Sequence, residues 1–324
     1  SALELEDDFR YPIAPANLTR NWTFRGGGRA EDIARTFLTG LAGTPMPSYE
    51  GQMTEEESWN LANFVRSLSP PERPRVRAVL TARRVEGPLP TNPSDTQWID
   101  EEAVFFPLVG QITEAPRNFT PGLDSITARA VYNSDELALL LTWDDRSENR
   151  GASEATTADA VAVQFPVDAS DGAAKPSFLE GQPGRPVSLW SWRADTDAAV
   201  EMRAVGLGTA VPQPDESQGV SGGAVYADGQ WRLLLRRSLS TDDADADVQL
   251  ASDTFIPIAF SAWDGQGREQ GSVRAVSSWY LLYLEQPIGA SEWLQIPIRM
   301  AVVAVLAGAV LWWARRRRAA ADRA

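Results

Sequence analysis

The chain has 324 residues, a formal net charge of −14, and neither Cys nor His. Without those two residue types it cannot build a disulfide, a thiolate metal site, the usual zinc centres or Ser-His-Asp chemistry. Of its 30 basic residues only Lys175 is a lysine, and the acidic balance argues against nucleic acid, which needs a basic face, and for a partner with basic patches.

Residues 1–69 read as loop and helix. The first residue is Ser1, and no charged stretch followed by an apolar one marks a signal peptide. Ile33, Phe37 and Leu41 recur at i, i+4 and i+8 with Ala34 and Leu38 beside them, which predicts a helix over Ala30–Leu41. Thr54 followed by Glu57 is a capping box that opens a second helix. Trp59, Ala62 and Val65 share one of its faces, Leu61, Phe64 and Leu68 widen that face, and Pro70-Pro71 end it. Two short helices bury too little to fold alone, so this segment needs more chain or a cofactor to complete its core.

Between the helices lies Gly43-Thr44-Pro45-Met46-Pro47. Flanking prolines stiffen the backbone and hold the Met side chain in one direction. A thioether is a soft ligand for haem iron, but a Met also fills gaps between helices, and spacing alone leaves both readings open.

Residues 70–100 carry Pro70, Pro71, Pro74, Pro88, Pro90 and Pro93 and read as an extended linker. Residues 101–287 alternate as half-buried strands: Ser125–Tyr132, Leu137–Trp143, Val161–Phe165, Val187–Trp192, Phe255–Trp263 and Ala275–Leu284. Asn133-Ser134-Asp135 and Asp228-Gly229 supply hairpin turns. The pattern predicts a mainly β protein built as an antiparallel β-sandwich, with Trp143, Trp190, Trp192, Trp263 and Trp279 read as core. The acidic run Asp242–Asp247 lacks the Gly and Glu of a calcium loop and reads as a solvated turn; Gly26-Gly27-Gly28 lacks a phosphate-loop context. Met300–Ala314 is uncharged and Arg315–Arg318 follow, so a transmembrane helix is expected over 293–314 with a cytoplasmic basic tail over 315–324. That places the rest of the chain on the periplasmic side of a cell inner membrane, anchored by one pass.

The run Asn17-Leu18-Thr19, Trp22-Thr23-Phe24-Arg25-Gly26-Gly27, Glu31-Asp32-Ile33, Gly43-Thr44-Pro45-Met46-Pro47-Ser48 and Trp59-Asn60-Leu61 with Val65-Arg66-Ser67-Leu68 resembles the C-terminal half of a class I cytochrome c domain. The resemblance covers residues 1–69 and implies that Met46 is the distal ligand of haem c, with Pro45 bracing it and Leu38, Tyr49, Trp59 and Phe64 lining the haem. The covalent Cys-x-x-Cys-His site of that family is absent, so the expectation is an N-terminally truncated, partial cytochrome c domain.

A second resemblance rests on Ala128–Tyr132, Leu137–Asp145, Asp159–Pro166, Lys175–Gly181, Pro186–Arg193, Phe260–Gly265 and Ser277–Tyr280. These runs look like the haem-binding γ subunit of ethylbenzene dehydrogenase and related enzymes of the DMSO-reductase family. That likeness implies a β-sandwich holding haem b between a Met and a Lys. Glu180 stands where the Met is expected and Arg274 where the Lys is expected, and a protonated Arg has no lone pair for iron. Glu180, Lys175 and Met202 are weak substitutes, so haem b is not expected. The two resemblances together imply an electron-transfer subunit, not itself an enzyme, working with molybdenum and iron–sulfur subunits. The competing reading is a redox-inert extracytoplasmic binding or anchor module.

Overall fold

The computed structural model describes residues 5–6, 8, 10, 12–13, 15–69, 76–151, 153, 156–170 and 172–286. They fall into two units, divided between Arg75 and Val76. The expected transmembrane helix and basic tail lie outside the described residues; among those described, no helix is long and apolar enough to cross a membrane.

The first unit pairs β1 (Leu5–Glu6) with β2 (Pro12–Ile13) and packs α1 (Ala30–Thr39) on α2 (Glu55–Ser67). The 3.6-residue period puts Ala30, Ile33, Ala34 and Phe37 on one face of α1, where they bury against Ala62 of α2, with Leu38, Met53, Leu61 and Val65 at the margin. Glu31 and Asp32 favour the positive end of the α1 dipole. The helix stops at Thr39, two residues before the expected end, because Gly40 takes φ 70°. A Cβ at Gly40 would lie 2.8 Å from Ser48 N and 2.9 Å from Met46 O, so only glycine allows the following loop to fold back this closely. The capping box of α2 forms as its sequence predicts: Glu57 N donates to Thr54 Oγ1 at 3.2 Å and Thr54 N to Glu57 Oε2 at 2.8 Å.

The second unit is built from β3 (Val79–Arg84), β4 (Val104–Pro107), β5 (Val109–Gly110), β6 (Ser125–Tyr132), β7 (Glu136–Asp144), β8 (Ala160–Pro166), β9 (Val187–Arg193), β10 (Ala198–Ala204), β11 (Val211–Pro212), β12 (Ser221–Ala227), β13 (Gln230–Ser238), β14 (Phe255–Trp263), β15 (Ala275–Val276) and β16 (Tyr280–Leu284). They hydrogen-bond in the order β11-β10-β9-β8-β14-β16-β3-β6-β7-β13-β12, with β4, β5 and β15 attached at the sides. The two halves of this path face each other across one core. Trp192 of β9 meets Trp231 of β13 with ring centroids 5.1 Å apart and Trp143 of β7 at 6.1 Å. Val161, Val163 and Phe165 from one half and Leu137, Leu139 and Leu141 from the other fill the space between, all fully buried.

The sheet departs from the sequence expectation in four places. Residues 76–100 are not a free linker. β3 lies in the middle of the strand order, with Leu80 and Ala82 at 0% exposure, and Leu89 and Trp98 are buried on the outer side of β6, β7 and β13. Six prolines outweighed the short apolar run of β3 in the sequence pattern. β3 also pairs parallel with both β16 and β6, so the sheet is mixed rather than antiparallel throughout. The single strand expected over Ala275–Leu284 is two. β15 pairs with Ser261-Ala262 and β16 with Phe255–Ile258, while Ser277 between them accepts Phe260 N on its Oγ at 2.8 Å. Finally, the acidic run is only partly a solvated turn. Asp242 and Asp245 are exposed, but Asp247 is buried, 3.1 Å from Arg237, which also lies 2.6 Å from Glu201.

Candidate functional site

In the first unit the loop after Gly40 is tied to the end of α1. Leu41 N donates to Met46 O at 3.2 Å, Ser48 Oγ to Leu38 O at 2.5 Å, and Tyr49 N to Phe37 O at 3.0 Å. Thr44 braces the turn, donating from N and Oγ1 to Leu41 O at 3.1 and 2.8 Å. The backbone is thus fixed on both sides of Met46 while the residue stays 36% exposed. Pro45 is exposed beside it and Leu38 is half-buried. Tyr49, Trp59, Phe64 and Leu68 are 36%, 41%, 60% and 38% exposed. On α2, Trp59 and Phe64 flank the buried stripe of Ser58 and Ala62 on opposite sides, so they do not share its buried face. A Met that filled an interhelical gap would be buried; this one is not, and the unit leaves several large apolar side chains uncovered.

In the second unit the positions where the resemblance puts haem b ligands come together in another way. Gly181 at φ 76° follows Glu180, itself at φ 59°, a conformation that a residue with a long side chain rarely adopts. There Glu180 N donates to Gln164 Oε1 of β8 at 3.0 Å. Its carboxylate accepts Arg274 Nη1 at 2.5 Å on Oε1 and Gly208 N at 2.5 Å on Oε2. The side chains of Arg274 and Glu180 are 2% and 6% exposed. Arg274 also lies over the Trp263 ring, 5.1 Å from its centroid. Beside them Ala162, Val187, Leu189 and Ala204 form an apolar layer on the outer face of the sheet, with Met202, Trp263 and Trp279 at its margin. Lys175 is exposed on the β8–β9 connection.

The residues at this place do not fit haem b. Both oxygens of Glu180 are engaged, the guanidinium offers no lone pair, and Met202 packs at the margin of the apolar layer. Sequence reading singled out Glu180 and Arg274 as separate substitutions. That they pair with one another has no local signal, since they are far apart in the chain. Trp143, Trp190 and Trp192 are core residues at 1% exposure or less, and Trp231, not among the predicted core tryptophans, joins them at 0%. Trp263 and Trp279 lie instead on the outer layer.

These features define a mixed-sheet domain with a two-helix unit ahead of it in the chain. Residues 95–219 match the family described as Ethylbenzene dehydrogenase. The chain is 29% identical over 192 residues, 59% of its length, to a protein of Haloferax mediterranei provisionally named respiratory nitrate reductase heme subunit ORF7, of which 67% is covered. It is 32% identical over 165 residues to the chlorate reductase subunit gamma of Ideonella dechloratans, covering 50% of this chain and 66% of that one. It is 26% identical over 159 residues to the dimethylsulfide dehydrogenase subunit gamma of Rhodovulum sulfidophilum, covering 47% and 57%. The chain thus spans about two thirds of two of these relatives and rather more than half of the third. Among solved structures, a family 9 carbohydrate-binding module from Caldicellulosiruptor kristjanssonii superposes with a TM-score of 0.39 at 10% identity, covering 64% of this chain and 96% of that one.

Proposed function

We propose that this chain is the non-catalytic electron-transfer subunit of a molybdenum oxidoreductase complex, and that its redox group is a haem c ligated by Met46. Three relatives named as subunits of nitrate reductase, chlorate reductase and dimethylsulfide dehydrogenase support the first half. The single observation that supports the second is Met46, an exposed residue on a loop whose backbone is held on both sides. A soft donor on a braced, exposed loop suits meeting a metal better than packing a core.

In this reading Met46 supplies the distal sulfur, Pro45 and Pro47 keep it oriented, and Leu38 and Tyr49 offer apolar and aromatic cover, joined by either Trp59 or Phe64, which lie on opposite sides of α2. A bound haem c would supply one-electron redox chemistry; the protein sets its orientation and potential. The chain has no Cys or His, so the covalent attachment and the proximal ligand would come from outside these 324 residues. The β-domain, whose Glu180 and Arg274 bind each other, serves as a docking module for molybdenum and iron–sulfur subunits. The uncharged run Met300–Ala314 before Arg315–Arg318 supports an inner-membrane anchor with both units on the periplasmic side.

The test is isolation of the native protein with whatever accompanies it, followed by pyridine haemochrome analysis, metal analysis and a reduced-minus-oxidised spectrum. Covalent haem with Met ligation, altered by Met46→Ala, and molybdenum in the same fraction are expected. A colourless preparation, or a haem spectrum indifferent to Met46→Ala, would remove the haem assignment, and absence of molybdenum would remove the partner.

A further inference from the structure

At one end of the β-domain three strand termini converge. Asp145 follows β7, Asp159 precedes β8 and Asp264 follows β14. Each offers a carboxylate oxygen, and those atoms lie within 4.8 Å of one another. Asp159 is 0% and Asp145 5% exposed, and Asp264 is half-buried.

The surrounding backbone holds the three carboxylates in place. Asp159 Oδ2 accepts Asn149 N at 2.8 Å and Trp231 Nε1 at 3.1 Å, and its Oδ1 accepts Gly265 N at 2.8 Å. Asp264 Oδ1 accepts Gln266 N at 2.8 Å, and Asp264 N donates to Glu269 Oε2 at 3.1 Å. Asp145 Oδ1 accepts Ser147 N at 3.1 Å, but its Oδ2 is buried and has no hydrogen-bond partner. A buried carboxylate oxygen left unpaired beside two other carboxylates is costly unless something positive meets it. Arg150 does not: its guanidinium lies over the Trp231 ring and is paired with Glu148 at 2.6 Å and Asp197 at 3.8 Å.

We infer that Asp145, Asp159 and Asp264 form a calcium site that clasps the end of the β-domain. An oxygen-only donor set selects a hard cation, and the irregular arrangement of three carboxylates at strand ends suits the flexible coordination of Ca²⁺ better than the octahedron of Mg²⁺. Burial and the charge of Asp159 push the Asp145 carboxyl up to about 8, and burial raises Asp159 as well. The cation would join β7, from one half of the sheet, to β8 and β14 in the other, and pin both ends of the 145–159 connection. This site is independent of Met46 and of any haem.

The experiment uses the full chain, stripped with EDTA and returned to metal-free buffer. Calcium at millimolar concentration should raise the thermal midpoint by roughly 4 °C or more, as a ligand binding only the folded state does. Terbium should give luminescence sensitised by tryptophan, since Trp231 donates to Asp159, and calcium should quench it at least about tenfold more effectively than magnesium. Asp145→Asn should fold, having lost a repelled charge, and lose both responses; half-buried Asp264→Asn should do the same and decides the matter if Asp145→Asn does not fold. Asp242→Asn with Asp245→Asn, in the exposed acidic run, should keep both. A wild-type chain without a calcium-dependent midpoint overturns the proposal. So does an aspartate variant at 145 or 264 that keeps the response, or a response lost only in the 242/245 variant, or magnesium equal to calcium.

Discussion

Glu180 Oε1 accepts a hydrogen bond of 2.5 Å from Arg274 Nη1, and the pair is sealed from solvent with side chains 6% and 2% exposed. It joins the connection after β8 to the one before β15, over the outer face of the sheet. Removing one partner strands the other as a buried lone charge. Glu180→Ala or Arg274→Ala is expected to cost about 3–5 kcal/mol, whereas Glu180→Met with Arg274→Met should return most of that stability. Denaturant unfolding of the three variants checks this; a double variant no better than the singles would show that the pair does more than satisfy its own charges.

Met46 is expected to matter little to the haem-free fold. The residue is 36% exposed, so Met46→Ala should change unfolding free energy by no more than about 0.5 kcal/mol. A buried gap-filling Met would cost about 2–5 kcal/mol. Equilibrium unfolding separates the two, and a loss in the larger range would return Met46 to the core.

Gly40 sets where that loop lies. With φ 70° and Met46 O 2.9 Å from the place of a Cβ, Gly40→Ala should destabilise by about 1 kcal/mol or more and displace the loop. Amide shifts of Leu41 and Ser48, whose bonds fix the loop, should move in the variant spectrum; unchanged shifts would mean that the turn accommodates a side chain.

Trp192 lies at the centre of the sandwich core at 0% exposure and donates from Nε1 to Asp197 Oδ1 at 3.0 Å. Trp192→Ala should cost about 3–5 kcal/mol through the cavity it leaves, and Trp192→Phe less, since most of the ring volume remains. Thermal or chemical unfolding gives the order, and equal losses would place the stabilisation in the hydrogen bond rather than in packing.

The α2 capping box makes a pH prediction with a defined sign. Hydrogen bonds from the Thr54 backbone and hydroxyl lower the Glu57 carboxyl below its ordinary 4.5. A carboxylate held below its unfolded value adds stability that is fully present above about 4.5 and is lost as pH falls through the folded value. Thr54→Ala should raise the Glu57 midpoint toward the ordinary value, as followed by carbon chemical shifts during titration. An unmoved midpoint would mean that the box does not persist in solution.

Short-range features were open to sequence reading. The strand through Leu137, Leu139, Leu141 and Trp143, the Asp228-Gly229 hairpin and the Thr54–Glu57 cap depend on residues a few positions apart and formed as expected, although Ala138 and Leu140 on the other face of that strand are buried as well and α1 ends before Leu41. β3 did not, because its pairings with β16 and β6 are parallel and distant, and parallel neighbours leave no turn between them to read.

The sequence by itself determined the excluded chemistries, since a chain without Cys or His cannot supply thiolate or imidazole whatever its fold. It also determined the stiff Pro-Met-Pro loop and the substitution of Glu180 and Arg274 for the expected ligands. Only the tertiary structure decided that those two side chains neutralise each other, that Met46 faces solvent, and that Asp145, Asp159 and Asp264 share one corner. The reason is physical: hydrogen bonds and ion pairs depend on distances of a few ångströms, and for residues scores of positions apart the path of the whole sheet sets those distances.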